Sequence, residues 1–127
     1  MKKDEPYDIS VNVATQYVAD QSAPDHNRFV FAYTIRIRNS GVKAAKLLTR
    51  HWVITDANGK VEEVFGEGVV GKQPYLNPGE EFQYTSGAVL ETPVGTMRGT
   101  YNMVGNDGVR FEAEIPMFML SAPRVLH

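Results

Sequence analysis

The chain contains no cysteine. That absence removes a disulfide framework, a thiolate zinc site and a cysteine nucleophile together. It also has no apolar run near the roughly 18 residues a membrane-spanning helix needs, and almost no segment with a 3.6-residue period. Nor is there a strong excess of charge. Thirteen basic and fifteen acidic side chains in 127 residues give a net charge of −2, which argues against a general nucleic-acid or anionic-membrane footprint. Met1-Lys2-Lys3-Asp4-Glu5-Pro6 is charged and leads into alternating residues in place of an apolar segment, so no secretory signal is read. The expectation is a soluble, cytoplasmic protein of one domain, 1–127, with loose ends at 1–6 and 121–127.

The chain does have a period of two. Ile9, Val11 and Val13 alternate with Ser10 and Asn12, and Phe29, Phe31, Tyr33, Ile35 and Ile37 alternate with Thr34, Arg36 and Arg38. Each set lines one face of a strand. Residues 44–55 form a third strand, with Leu48, Trp52 and Ile54 assigned to one face and Thr49, His51, Val53 and Thr55 to the other. Asp56-Ala57-Asn58-Gly59 and Gly105-Asn106-Asp107-Gly108 are hairpin signals, because Asn and Gly tolerate the positive φ such turns demand. Further strands follow at Val61–Phe65, Phe82–Leu90, Met97–Val104 and Val109–Leu120, the last demoted by Pro116 to an edge or a bulge. Seven strands and no helix predict an antiparallel β-sandwich of immunoglobulin or fibronectin III type, without the antibody disulfide. Trp52 is the expected core aromatic, joined by Ile9, Val11, Ile35, Ile37, Leu48, Ile54, Tyr84, Tyr101 and Phe111.

Gly66-Glu67-Gly68-Val69-Val70-Gly71 matches the G-x-G-x-x-G pattern of phosphate-binding loops. The cofactor meaning requires a helix after the glycines, whose N-terminal amides hold the pyrophosphate. Here Pro74 and Pro78 follow instead, and Gly-Lys-Ser/Thr is absent, so neither a dinucleotide fold nor a Walker loop is read. Two readings remain. The glycines permit a bulge or crossing where a Cβ would clash, or successive amides form an anion-binding nest assisted by Arg50 or Lys72. Arg50 interrupts an apolar face, which also leaves two readings: a structural ion pair with Glu67, Glu80 or Glu81, or a cation that reaches the glycine turn and receives an anionic group with it. His51 then faces the opposite side, available to a partner. His26, His51 and His127 show no metal-ligand spacing, Asp56 and its acidic neighbours are explained by the hairpin tip, and Ser86 has no nucleophile elbow. No catalytic set, metal site or cofactor is assigned. The candidate binding residues are Gly66, Glu67, Gly68, Gly71, Lys72, Arg50 and His51.

Six stretches in order carry a resemblance: Arg50-His51-Trp52-Val53-Ile54-Thr55-Asp56, Gly66 to Pro74, Pro78-Gly79-Glu80, Tyr84-Thr85-Ser86-Gly87, Gly95 to Tyr101 and Ile115-Pro116-Met117-Phe118. From Tyr7 onward the chain resembles the ApaG protein family. The resemblance implies a fibronectin III-like sandwich, genes encoded beside a diadenosine tetraphosphate hydrolase and a ribosomal-RNA dimethyltransferase, cobalt-resistance and magnesium-efflux phenotypes, and adaptor use of related domains in eukaryotic proteins. It carries no catalytic residue. The implied function is a noncatalytic module that binds another protein. The alternative is a binder of phosphate, pyrophosphate or a nucleotide at the glycine loop. Weak homo-oligomerisation through a free sheet edge is the further expectation.

Overall fold

The computed structural model describes residues 6–123. Eight strands form two antiparallel sheets: β1 (Ile9–Tyr17), β2 (Phe29–Asn39), β3 (Ala45–Asp56), β4 (Val61–Glu67), β5 (Tyr75–Leu76), β6 (Glu81–Leu90), β7 (Val94–Gly105) and β8 (Arg110–Ser121). One sheet has the order β1-β2-β6. The other has the order β4-β3-β7-β8, with β5 paired to the start of β3. The sandwich is as expected, but there is one strand more than the seven counted from periodicity. The extra strand is β5, whose Leu76 and Tyr75 pair with Ala45 and Lys46; two residues between prolines are too short for alternation to register. Of the expected loose ends, 1–5 and 124–127 lie outside the described residues; Ser121 closes β8, the Pro6 carbonyl accepts from the Lys43 amide at 3.1 Å, and the Ala122 amide donates to the Pro93 carbonyl at 2.8 Å.

The core follows from alternation on facing strands. Phe31, Tyr33, Ile35 and Ile37 of β2 meet Trp52, Met97, Tyr101 and Ile115 of the larger sheet, all buried. Trp52 packs edge-on against Tyr33 at 5.4 Å and Phe118 at 5.8 Å between ring centroids. Of the other expected core residues, Tyr84 is buried, while Ile9, Val11, Ile54 and Phe111 pack half-buried against the cluster. Among the described residues Asn39 and Thr92 are the buried polar side chains, and Asn39 is fully enclosed. Its Nδ2 donates to the carbonyls of Lys43 and Leu76, each at 2.9 Å, and its Oδ1 accepts from the Gly41 amide at 2.9 Å. The side chain thus has its hydrogen-bonding capacity met where a bare amide would be costly.

Leu48 is a correction. In the β3–β7 ladder Leu47 opposes Met103 and Thr49 opposes Asn102, leaving Leu48 as an inserted residue. A bulge of this kind inverts alternation on one side of itself, so Leu47, and not Leu48, enters the core at 1% exposure. Arg50 and Trp52, past the bulge, point inward; His51 points outward.

Truncating Leu47 to alanine therefore costs about 2–5 kcal/mol, the range for emptying a packed core site, whereas Leu48→Ala costs less than half as much. Chemical denaturation of the two variants separates the bulged register from an unbroken one; equal losses count against the bulge.

Candidate functional site

The first two residues of the glycine hexapeptide are strand, because Gly66 pairs with Arg50 and Glu67 with Thr49. The chain then leaves β4 at Gly68, at φ +60°, and its amide donates to the Leu48 carbonyl at 2.8 Å. A Cβ at Gly68 would run into the Lys72 carbonyl oxygen. Val69 to Lys72 closes as a tight turn, with Val69 N–H donating to Lys72 O at 2.8 Å and Lys72 N–H returning to Val69 O at 2.9 Å. Its two central residues, Val70 and Gly71, have φ of 44° and 79°, the doubly positive arrangement usually given to Asn-Gly. Val69 is fully buried and anchors the turn to the core. The amides of Gly68, Val69 and Lys72 are thus committed to backbone carbonyls.

What the loop turns toward the interior is oxygen. Arg50 Nη1 donates to Glu67 O at 3.0 Å and Gly68 O at 2.9 Å. To get there the guanidinium lies across Gly66, where a Cβ would sit 2.6 Å from Arg50 Cζ. The expected ion pair is not formed: among the described residues Arg50 has no carboxylate partner, while Glu81 pairs with Arg36 and Arg38 and Glu80 accepts from the Asn77 amide and side chain. The loop carbonyls, held over Gly66, take the place of that carboxylate. Arg50 also borders a cavity of about 260 Å³ between the sheets, with Tyr33, Val70, Gly71, Tyr84 and Ser86 on its walls. Burial pushes the Tyr84 phenol up to about 12. Burial likewise raises Tyr33 and Tyr101, and the Arg50 charge opposes the rise in all three. At neutral pH the guanidinium therefore faces neutral hydroxyls, two of which, on Tyr84 and Tyr101, bond each other at 2.6 Å.

Lys72 is not part of this cavity. It borders a separate groove with Tyr75, Glu81 and Phe82, so the loop does not gather Arg50 and Lys72 around one ligand position. His51 stands on the outer face of the larger sheet, as expected from alternation. Its ring stacks on Phe65 with centroids 4.2 Å apart and planes 2° from parallel, and its Nε2 bonds Glu63 at 2.8 Å. Phe65 is 71% exposed. Phe65 and Glu63 were missed from the sequence, yet the hairpin at Asp56 to Gly59 contained the signal: pairing Thr55 with Val61 places Phe65 opposite His51. Among the described residues no group of three His, Asp or Glu side chains is placed to hold a metal ion, and no helix is long and apolar enough to cross a membrane.

Comparison with known proteins agrees with this architecture. A family model described as the ApaG domain matches residues 19–105. The chain is 60% identical over 127 residues to the protein ApaG of Azoarcus sp. (strain BH72), covering 100% of each. It superposes on a crystal structure of an ApaA protein from Bordetella pertussis with a TM-score of 0.92 at 53% identity, over 96% of this chain and 99% of that one. The C-terminal domain of wzt shares the fold alone, with a TM-score of 0.54 at 6% identity over 93% of this chain and 75% of that one.

The loop geometry sets a stability order. A β-branched residue at positive φ is strained by about 1–2 kcal/mol, so Val70→Gly raises the unfolding free energy by about 1 kcal/mol, since Val70 is half-exposed and little packing is lost. Gly68→Ala lowers it by about 2 kcal/mol or more, through both φ and the Lys72 carbonyl. Thermal melts give the order Val70→Gly, wild type, Gly68→Ala; a Val70→Gly protein that melts below wild type contradicts the strain.

Proposed function

The chain belongs to the ApaG domain family, and from that premise we propose that it is a noncatalytic, cytoplasmic binding module that docks another protein on the outer face of its larger sheet. The observation that carries this reading is the Phe65–His51 platform. A phenylalanine left 71% exposed and held flat by a stacked imidazole is a rigid aromatic anchor of the kind that supplies binding energy at interfaces. Met117 and Met119 are exposed on β8 of the same sheet, adding adaptable apolar surface. No arrangement of nucleophile, base and orienting group accompanies the platform among the described residues. The cobalt and magnesium phenotypes that the resemblance implies are read as acting through the partner.

A second reading is favoured by Arg50. Its charge is met by carbonyls and hydroxyls and borders a cavity of about 260 Å³, below the roughly 300–1,000 Å³ of ordinary ligand pockets. That space suits an oxyanion of the size of phosphate or pyrophosphate and not a nucleotide. With three loop amides already committed, such an anion rests on the unbonded guanidinium nitrogens and the hydroxyls of Tyr33 and Ser86, not on a backbone nest.

The two readings separate experimentally. A photo-crosslinking residue at position 65 captures the partner in cells, and the same residue at position 36 on the opposite sheet does not; Phe65→Glu abolishes capture by wild-type affinity bait. Equal capture from both sheets removes the docking face. For the second reading, amide shifts of Val70 and Gly71 move on titration with pyrophosphate and fail to move in Arg50→Gln; silence in the wild type up to millimolar ligand ends it.

A further inference from the structure

The outer face around Phe65 has a chemistry that narrows its partner. The inference rests on the reading that this face docks a protein and says which kind of segment it takes. β4 is the terminal strand of its sheet. Its ladder to β3 runs without interruption from Thr49–Glu67 to Thr55–Val61, so its far edge is a straight row of backbone donors and acceptors with no proline in it. Such an edge is a template for another strand.

Cross-strand register shows what that strand would meet. The row through Phe65 continues with His51, Thr100 and Glu114, and the next row runs Glu67, Thr49, Asn102, Glu112. Between them is a hollow of about 460 Å³ bordered by His51, Phe65, Glu67, Asn102 and Glu112. Asn102 donates to Thr49 Oγ1 at 2.9 Å, which fixes the floor. Glu67 and Glu112 border the hollow, and along β4 Glu63 and Glu67 stand on either side of Phe65 on the same face. The cations on this face stand outside it: Arg98 in the row of Val53, and Lys46 and Arg110 in the row beyond Glu67 and Glu112. One face of the Phe65 ring is covered by His51; the other is open.

We propose that the partner supplies an extended segment with an arginine, which pairs along the free edge of β4 and lays its guanidinium on the open face of Phe65, between Glu63 and Glu67 on the same face of that strand. Arginine fits each element at once. Its planar cation stacks on an aromatic face, its forked donors match carboxylates, and a lysine ammonium does neither as well. The same glutamates select against the obvious competitor. A second copy of β4 would bring Glu62, Glu63 and Glu67 of two chains together, and like charges across a strand pair are unfavourable. This edge is thus charged against itself and toward a basic strand.

The test uses the full chain and a capped nine-residue peptide that alternates threonine and valine around one central arginine, with lysine and glutamate versions as controls. Amide shifts are followed during titration. The expected result is movement of the Val61–Glu67 and His51 signals, with arginine binding about fivefold tighter than lysine and the glutamate peptide not binding. Phe65→Ala, which removes a mostly exposed ring, weakens the arginine peptide about tenfold, and Glu67→Gln weakens it and flattens its salt dependence. Equal binding of the arginine and glutamate peptides, shifts confined to β1, β2 and β6, or no shift at millimolar peptide overturns the proposal. Crosslinking through position 65 without any preference for arginine overturns the partner class alone and leaves the docking face standing; crosslinking from both sheets alike removes the face itself.

Discussion

One inserted residue governs the working parts of this molecule. Leu48 has no opposite number on β7, and the bulge it makes reverses which side chains of β3 enter the sandwich. It also turns out its carbonyl oxygen, which accepts the Gly68 amide at 2.8 Å and Gln73 Nε2 at 3.0 Å. The same residue that directs Arg50 inward and His51 outward therefore ties down the loop that Arg50 touches. Without the bulge, a strictly alternating β3 that buried Leu47 would direct Thr49 and His51 inward and leave Arg50 and Trp52 outside. The core could not tolerate that exchange, because Trp52 fills the space between Tyr33 and Phe118 and an imidazole would leave much of it empty.

The fold was largely legible in the sequence because alternation and hairpin turns are local signals, and both report on a half-buried antiparallel sheet. Seven strands could be read this way. What escaped was whatever depends on a neighbour: β5, stable only as an addition to β3, and the bulge, detectable only where β3 meets β7. Leu47 and Leu48 are chemically identical, so no composition argument could choose between them. The site shows the same division. That Arg50 and His51 face opposite ways followed from period two alone. That Arg50 would be met by carbonyls instead of a glutamate did not, since a backbone oxygen leaves no mark in the sequence.

The three motif glycines illustrate how one pattern can serve several physical needs. Gly66 has no side chain because the Arg50 guanidinium lies across it, Gly68 because the Lys72 carbonyl closes over it, and Gly71 because the turn demands φ near 79°. None of these needs involves a phosphate. The spacing that identifies a dinucleotide loop arises there from a helix that must approach its ligand, and here from a strand that must leave its sheet without disturbing a half-buried cation. A motif's meaning thus lies in the element that follows it. Pro74 and Pro78 already excluded a helix at that position.

The interior cation and the exterior platform are parts of one device. An edge strand is ordinarily the least constrained element of a sheet, since only one side of its ladder is paired. β4 escapes this through its far end, where Glu67 and Gly68 are held by Arg50 from inside and Gly68 by Leu48 from the neighbouring strand. Hydrogen bonds to a charged donor are stronger than neutral ones, and in a half-buried site they are screened less by water. Phe65 lies one residue before Gly66, on the opposite face, so its orientation is fixed by a clamp it does not touch. This explains why the sandwich retains an arginine among its tyrosines, where an apolar residue would pack at lower desolvation cost. The charge keeps the edge rigid, and a rigid edge loses little conformational entropy when a second strand is added to it.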